Sequence, residues 1–217
     1  MQLLAAAAAT ARAWPGMAAL SALACVLLWV AATARATAAS SSQEVVRVGR
    51  SAAADAATVA AGVALVPTNA TARWTVEVEP GVYRERVSTV DKGPLSLVGL
   101  GSAEDVVLAF GCSANKGSGR PGCQPCPTAA GFAGRATLTV ASADFIGLNL
   151  TIANDACGFN AGLAAQSEAV SLGADRAAFA HCRFLGGQDT LYTGSGTLRS
   201  FFTDSFVNGS CDTGSNR

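Results

Sequence analysis

The sequence has few charged residues, little lysine and a single histidine. Charged residues make up 14% of the 217 positions, below the roughly 25% of an ordinary soluble domain. The 15 Lys+Arg balance the 15 Asp+Glu, and lysine occurs only at Lys92 and Lys116, which argues against a basic nucleic-acid-binding surface. With His181 as the single histidine, no Ser-His-Asp set can be recognised, and neither a Walker loop nor a dinucleotide fingerprint is present.

Acidic residues are also missing from the start of the chain, where the first is Glu44. The segment Met17–Ala32 is uncharged and apolar, and small-residue patterns typical of a cleavage site follow it. These features predict a signal peptide or leader over residues 1–38 and a globular domain over residues 39–217. We expect a secreted protein, extracellular or in the cell wall. An uncleaved N-terminal membrane anchor and an organelle transit peptide are the alternatives.

Seven cysteines are present, and six remain if cleavage removes Cys25. An even number suits disulfides in an oxidising compartment. Residues 111–127, rich in Gly, Ser, Pro and Cys, predict a Cys-rich loop insertion. Within it, the Cys123-x-x-Cys126 pair together with Cys112 could bind zinc or act as a redox pair. No second CxxC or histidine pair completes a zinc site, so the sequence favours an insertion held by a disulfide.

An Ala-rich segment predicts one short helix that ends near Pro67. From Trp74 onward the pattern is that of short β-strands. Trp74–Glu79 alternates apolar and polar residues and breaks at a Pro-Gly pair, and further short apolar runs follow. The predicted fold class is therefore all-β, preceded by one short helix.

A regular spacing links several of these strands. Three phenylalanines are each followed ten positions later by an aspartate: Phe145 by Asp155, Phe179 by Asp189 and Phe202 by Asp212. This recurrence predicts the coils of a parallel β-solenoid, in which equivalent positions of neighbouring coils lie side by side. We therefore expect Asp189 to lie one coil from Asp212. The alternative is a chance recurrence of turn-forming aspartates in an all-β sandwich.

Two neighbouring carboxylates, Asp189 and Asp212, suit nucleophilic and acid–base chemistry. In a partly dry groove the two do not both ionise easily, so one stays protonated while the other is an anion. The anion can attack a carbonyl, and the acid can protonate the departing group and later activate water. Gln188 and Gln166 offer amide N–H donors for a developing oxyanion.

Several motifs are similar to those of the pectin methylesterase family. The run Gly187–Tyr192 resembles the Gln-Asp-Thr-Leu-Tyr signature of that family, and Pro80–Val87 resembles its Gly-x-Tyr-x-Glu motif. Three further segments follow the family's order: Phe145–Asn154, a strand ending in Asn before the substrate cleft, Arg199–Phe202 and Gly209–Asp212. The resemblance extends from about residue 45 to residue 212.

The resemblance implies a right-handed parallel β-helix that hydrolyses galacturonate methyl esters in pectin and releases methanol, without a metal or organic cofactor. Asp212 matches the family's nucleophile, Asp189 its general acid/base and Gln188 one of two oxyanion-binding glutamines. Ungapped counting puts Gln166 at the second glutamine, whereas aligning the next strand, Ala-Val-Ser-Leu, puts Glu168 there. Gln166 is favoured because an ionised glutamate cannot donate a hydrogen bond.

Tyr192 and Arg199 are candidates for substrate contacts. Tyr192 could line a sugar site, and Arg199 could pair with a substrate carboxylate. The alternatives are simple packing for Tyr192 and closure of a turn for Arg199. Glu85 of the Gly-x-Tyr-x-Glu motif is expected to be structural, through an ion pair with a neighbouring arginine. The expected partner is the pectin polysaccharide homogalacturonan, bound by a monomer, with no role for nucleic acid.

The sequence departs from the family after Asp212. The family usually continues Phe-Ile-Phe-Gly, whereas here Thr213–Arg217 follows. The family's active-site arginine and cleft-lining tryptophan, in an Arg-x-Trp motif, have no counterpart. We therefore expect a truncated β-helix domain with weak activity or none. The alternative function is a non-catalytic, polysaccharide-binding β-helix. A pectate lyase would need a calcium-binding cluster of carboxylates, which the sequence does not offer.

Overall fold

A computed structural model describes residues 44–113, 126, 134–156, 166–194 and 197–209, and the backbone of residues 214–216. They all belong to one structural unit, Glu44–Arg217. The predicted leader, with its anchor alternative, and most of the predicted Cys-rich insertion lie outside the described residues. Within the described part of the chain, no helix has the length and apolar character needed to span a membrane.

Short strands make up most of the described structure. In chain order the elements are β1 (Val45–Val48), α1 (Val59–Leu65), β2 (Trp74–Val78), β3 (Gly81–Tyr83), β4 (Val87–Ser88), β5 (Leu95–Gly99), β6 (Val106–Ala109), β7 (Leu138–Val140), β8 (Ile146–Leu148), β9 (Thr151–Ala153), β10 (Val170–Leu172), β11 (Ala177–Ala180), β12 (Arg183–Leu185), β13 (Leu191–Thr193), β14 (Ser200–Thr203), β15 (Phe206–Asn208) and β16 (Gly214–Asn216).

These strands form three parallel sheets that the chain visits in turn. Sheet 1 has the order β1-β2-β5-β8-β11-β14, sheet 2 the order β3-β6-β9-β12-β15 and sheet 3 the order β4-β7-β10-β13-β16. From β2 onward each coil contributes one strand to each sheet, and neighbouring coils pair in parallel. The fold is therefore a parallel β-helix, which confirms the predicted class. We name its three edges by the sheets they join: the 1–2, 2–3 and 3–1 corners.

The helix α1 packs on one end of the β-helix, against β1, β2 and β4. Its buried face consists of Val59, Gly62 and Val63. A Cβ atom at Gly62 would lie 2.3 Å from Cγ2 of Val48, so glycine allows this close approach. The helix ends just before Pro67, because the residue that precedes a proline is disfavoured in helical conformation.

The N-terminus of α1 explains the role of Glu85. Its two carboxylate oxygens accept hydrogen bonds from the backbone N–H groups of Val59 and Ala60 at 2.7 and 2.9 Å. The predicted ion pair between Glu85 and a neighbouring arginine is therefore wrong. A carboxylate at a helix N-terminus accepts hydrogen bonds from N–H groups that have no partner within the helix. Glu85 therefore holds the N-terminus of α1 against the β-helix.

Stacked phenylalanines fill the core between coils. Phe179 pairs in register with Phe202, and their rings are 5.3 Å apart and almost parallel. Phe179 does not pair with Phe145, as the ten-residue spacing predicted, but with Gly147. A Cβ atom at Gly147 would lie 2.5 Å from the Phe179 ring. The register therefore differs by two residues because the ring needs a neighbour without a side chain, and Phe145 packs beside it at 5.5 Å.

The 1–2 corner repeats one backbone conformation in three successive coils. Asn149, His181 and Asp204 all have left-handed backbone conformation, with φ of 55°, 53° and 47°. Asn and Asp tolerate this region better than most residues. The backbone N–H of His181 donates to the carbonyl of Thr203 in the next coil. The single histidine is thus an exposed turn residue.

A disulfide joins Cys112 and Cys126 within the predicted insertion. This confirms the expectation of an insertion held by a disulfide. The zinc and redox roles weighed for these cysteines stay predictions. Cys182 is a buried thiol without a disulfide, and burial raises its pKa to about 11. The remaining cysteines, Cys25, Cys123, Cys157 and Cys211, lie outside the described residues.

Candidate active site

Three of the four predicted catalytic residues lie at the 2–3 corner. Its connections in successive coils run over residues 110–137, 154–169, 186–190 and 209–213. Gln166, Gln188 and Asp189 are described there, whereas Asp212 lies outside the described residues. A parallel β-helix stacks these connections on one edge, and side chains that are distant in sequence therefore become neighbours.

A tight turn holds Asp189 in the interior of this corner. Asp189 is 0% exposed and has a φ of 57°, a left-handed conformation that aspartate tolerates. The hydroxyl of Thr190 closes the turn by donating to the carbonyl of Gly187 at 2.8 Å. A Cβ atom at Gly186 would lie 2.7 Å from the carbonyl oxygen of Ser167. Glycine therefore lets the turn pack directly on the preceding coil.

The two candidate oxyanion glutamines are neighbours in adjacent coils. Gln166 and Gln188 form a parallel β-bridge. Next to it, the N–H of Ser167 donates to the carbonyl of Gln188 at 3.0 Å, and the N–H of Gly187 donates to the carbonyl of Ser167 at 3.2 Å. Both glutamines are half-buried, whereas Asp189 is fully buried.

Gln166 joins Asp189 to Arg135, an arginine that no sequence motif indicated. Its Nε2 donates to Oδ2 of Asp189 at 2.8 Å, and its Oε1 accepts from Nη2 of Arg135 at 3.2 Å. Arg135 belongs to no recognised motif. Its position just before a strand that faces this corner is the one sequence feature that could have indicated it.

Glu168, the alternative to Gln166 in the alignment, forms a buried ion pair. Its side chain is 0% exposed, and that of Arg135 is 14% exposed. Nε of Arg135 donates to both carboxylate oxygens, at 3.2 and 3.3 Å, and Nη2 donates to Oε1 at 3.1 Å. Burial raises the pKa of Glu168, while Arg135 acts in the opposite direction and the charge of Asp189 raises it further. The contact with Asp189 is thus made by Gln166, and Glu168 is held by Arg135.

Asn154 fixes the backbone around this pair. Its Nδ2 lies 2.8–3.0 Å from the carbonyl oxygens of Cys112, Arg135 and Glu168, and its Oδ1 accepts from the N–H of Cys112. Asn154 is 2% exposed. One buried amide thereby joins two neighbouring coils, including both members of the ion pair.

The structure separates Tyr192 from Arg199. Tyr192 is half-buried in β13, three residues after Asp189, and pairs in register with Ser171. Arg199 lies at the 3–1 corner, where its guanidinium donates to Asp175 at 2.6 and 3.1 Å. This ion pair lowers the pKa of Asp175. Arg199 thus closes a turn at a different corner from Asp189, and its contact with substrate stays a prediction.

The described side chains of the 2–3 corner combine a buried carboxylate with adjacent amide donors. A carboxylic acid so placed can give a proton to a leaving group and recover it from water. Amide N–H groups beside it can stabilise an oxyanion. Within the described part of the chain, no cluster of three or more His, Cys, Asp or Glu side chains is arranged to hold a metal ion.

Known proteins are similar to this chain in sequence and in fold. The sequence model of the Pectinesterase family matches residues 45–214. Pectinesterase 31 of Arabidopsis thaliana is 33% identical over 168 residues, which are 77% of this chain and 50% of that protein. The solved pectin methylesterase from carrot is 27% identical with a TM-score of 0.61, over 76% of this chain and 46% of that one.

A pectin methylesterase mutant solved in complex with a hexasaccharide is also similar, at 27% identity and a TM-score of 0.60, over 74% of this chain and 48% of that one. The chain spans about half the length of the curated relatives it matches. The family model, however, covers most of the chain, including the strands that build the 2–3 corner. This chain belongs to the pectinesterase family.

Proposed function

We propose that the 2–3 corner hydrolyses methyl esters of galacturonate in pectin, yielding methanol and a free carboxylate. The observation that carries the proposal is the hydrogen bond from Gln166 to the fully buried Asp189, next to the backbone β-bridge that joins Gln166 to Gln188. An acid next to two amide donors suits acyl transfer through an oxyanion. Membership of the pectinesterase family supports the choice of ester.

Asp212 is the proposed nucleophile. In the sequence it precedes Gly214 by two residues, the interval that separates Asp189 from Leu191, and Leu191 pairs with Gly214. The carboxylate of Asp212 would attack the ester carbonyl carbon to form a tetrahedral oxyanion. Gln166 and Gln188 would donate to this oxyanion.

Asp189 is the proposed general acid and then general base. It would give its proton to the methoxy oxygen as the ester C–O bond breaks, which releases methanol and leaves an acyl-enzyme anhydride on Asp212. Asp189, now an anion, would take a proton from water as the water oxygen attacks the anhydride. The products are the galacturonate carboxylic acid and the free carboxylate of Asp212, and the proton stays on Asp189. No metal or organic cofactor takes part in this sequence of steps.

The proposed partner is homogalacturonan, bound by a monomer outside the cell. Support for the polysaccharide comes from the related pectin methylesterase that carries a hexasaccharide. Support for secretion comes from the apolar segment and cleavage pattern of residues 1–38, and from a disulfide, which suits an oxidising compartment. Tyr192 is the proposed sugar-lining residue, because it lies in the strand that follows Asp189.

Methanol release from highly esterified pectin by the full chain tests this proposal. Asp189→Asn should reduce the rate by about 100-fold or more, and Asp212→Asn should abolish turnover. Asp204→Asn is the matched control, because Asp204 also has a left-handed backbone but lies exposed at the 1–2 corner. Circular dichroism would check that each variant is folded.

The same assay separates the two candidate functions. Equal rates for Asp189→Asn and Asp204→Asn would contradict the proposed chemistry. A folded chain that binds pectin but releases no methanol would instead favour the polysaccharide-binding alternative. The expectation that the chain alone is weakly active stays a prediction, and comparison with a full-length relative in this assay measures it.

A further inference from the structure

We propose that Arg135 and Glu168 form a positioning pair that aims the amide N–H of Gln166 at Asp189. The inference rests on the proposed function, because pectin hydrolysis gives Gln166 and Asp189 their roles. Neither member of the pair is assigned to the oxyanion site or to proton transfer. Their effect on the reaction passes through the orientation of Gln166.

A glutamine amide has two orientations that differ by a half-turn, with a hydrogen-bond acceptor on one side and a donor on the other. Arg135 selects between them, because a guanidinium donates hydrogen bonds and cannot accept them. With Nη2 of Arg135 3.2 Å from Oε1 of Gln166, the amide nitrogen must face the other way. It then points at Oδ2 of Asp189, 2.8 Å away.

This selection holds through both protonation states of Asp189. When Asp189 is an anion, it accepts from Gln166 and favours the same orientation as Arg135. When Asp189 carries a proton it could instead donate to a flipped amide, and Arg135 alone opposes the flip. The pair therefore keeps an N–H group available while Asp189 is protonated, which is the state in which the oxyanion forms.

Glu168 holds the guanidinium in place. It has no exposure to solvent and receives contacts from both Nε and Nη2 of Arg135. A guanidinium that binds a carboxylate through two nitrogens is fixed in direction as well as in position. Asn154 adds backbone restraint, since its side chain lies within hydrogen-bond distance of the carbonyl oxygens of both Arg135 and Glu168.

The test uses a double variant, because a single change would leave one buried charge without its partner. Arg135→Met with Glu168→Met removes both charges at once. Methionine is preferred to glutamine at position 168, since a glutamine there could itself donate to the site. The matched control is Arg176→Met with Asp144→Asn, which removes an exposed ion pair at the 3–1 corner.

The first readout is independent of activity. In 15N-labelled full chain, exchange of the Gln166 side-chain amide protons with water is measured by magnetisation transfer, and a Gln166→Glu variant assigns the signal. The double variant should exchange about tenfold faster or more, with the control unchanged. Unchanged exchange in a folded double variant would overturn the inference, whether or not the protein hydrolyses pectin.

The second readout is kinetic. The double variant should lower kcat by about tenfold or more and leave KM within about twofold, because an aimed N–H matters most to the oxyanion. A lowered affinity with unchanged kcat would contradict the inference. If the parent chain releases no methanol, the proposed function fails, and the amide exchange still decides whether the pair positions Gln166.

Discussion

Two corners of the β-helix carry arginine–carboxylate pairs in very different surroundings. At the 2–3 corner, the side chains of Arg135 and Glu168 are 14% and 0% exposed. At the 3–1 corner, those of Arg199 and Asp175 are 70% and 29% exposed. Both pairs join residues of adjacent coils through hydrogen bonds of ordinary length. Their difference lies in solvent access.

Solvent access decides what each pair can do. Water and salt weaken an exposed pair, which therefore serves to close a turn. A buried pair is fixed by its surroundings, and removal of one partner leaves a charge that water cannot reach. Burial thus makes Arg135 suitable for orienting a neighbouring amide, whereas Arg199 binds Asp175 at a different corner from Asp189.

Arg135→Met should give the largest loss of stability among the arginine variants. The free energy of unfolding is expected to fall by about 3–5 kcal/mol, because Glu168 would remain buried without its partner. Arg199→Met should leave the thermal midpoint within about 2 °C of the parent. Chemical and thermal denaturation followed by circular dichroism measure both. Equal effects of the two variants would remove the contrast between the corners.

Removal of both buried charges should restore part of that stability. Replacing a buried ion pair by apolar residues of similar volume is often neutral. Arg135→Met with Glu168→Met is therefore expected to regain at least about half of the free energy of unfolding lost in Arg135→Met alone. A double variant as unstable as the single one would show that the loss comes from packing of the arginine side chain and not from the unpaired charge.

The overall fold could be predicted from the sequence because its signals are local. Short alternating strands and recurring Phe–Asp spacings indicated a β-helix, and the family motifs gave its alignment. The exact register could not be predicted. Phe179 pairs with Gly147 because its ring needs an adjacent position without a Cβ atom. That requirement arises only when two coils pack together.

The candidate site was predictable where the family resemblance supplied an alignment, which reached Gln166 as well as Gln188 and Asp189. Gln188 and Asp189 belong to one turn and could be assigned together. Arg135 was missed because its partner Glu168 is 33 positions away and their burial cannot be read from composition. For Arg199 the sequence left two roles open, a contact with substrate and the closure of a turn. Its charge suggested a contact with a substrate carboxylate, and the structure shows an ion pair with Asp175.

The pH dependence of stability should also differ between the two corners. Burial raises the pKa of Glu168 above its ordinary value of 4.5. The folded state therefore binds the proton of Glu168 more tightly than the unfolded state does. The stability that this difference contributes is fully present below pH 4.5 and is lost as the pH rises through the folded-state pKa. The pKa of Asp144 is lowered by Arg176. Its contribution is present above its ordinary value of 3.8 and lost as the pH falls.

Two single variants would reveal the opposite pH dependences of stability at the two corners. In Arg135→Met, the arginine no longer lowers the pKa of Glu168. The loss of stability relative to the parent should therefore grow between about pH 5 and pH 8. In Arg176→Met the deficit should be constant over that range, because Asp144 stays ionised throughout. Denaturation at a series of pH values measures both. A constant deficit in Arg135→Met would mean that Glu168 keeps its charge without Arg135.

The smallest expected effect is that of salt. Exposed charges are screened within about 3 Å at 1 M ionic strength and within about 10 Å at 0.1 M. Any change in unfolding temperature that Arg176→Met or Arg199→Met causes at low salt should therefore disappear at about 1 M sodium chloride. At that salt concentration, these variants and the parent are expected to unfold at the same temperature. The deficit of Arg135→Met should persist there, because dissolved ions do not reach Glu168. A deficit in Arg135→Met that vanished with salt would mean that the 2–3 corner opens to solvent, and the two corners would then be alike.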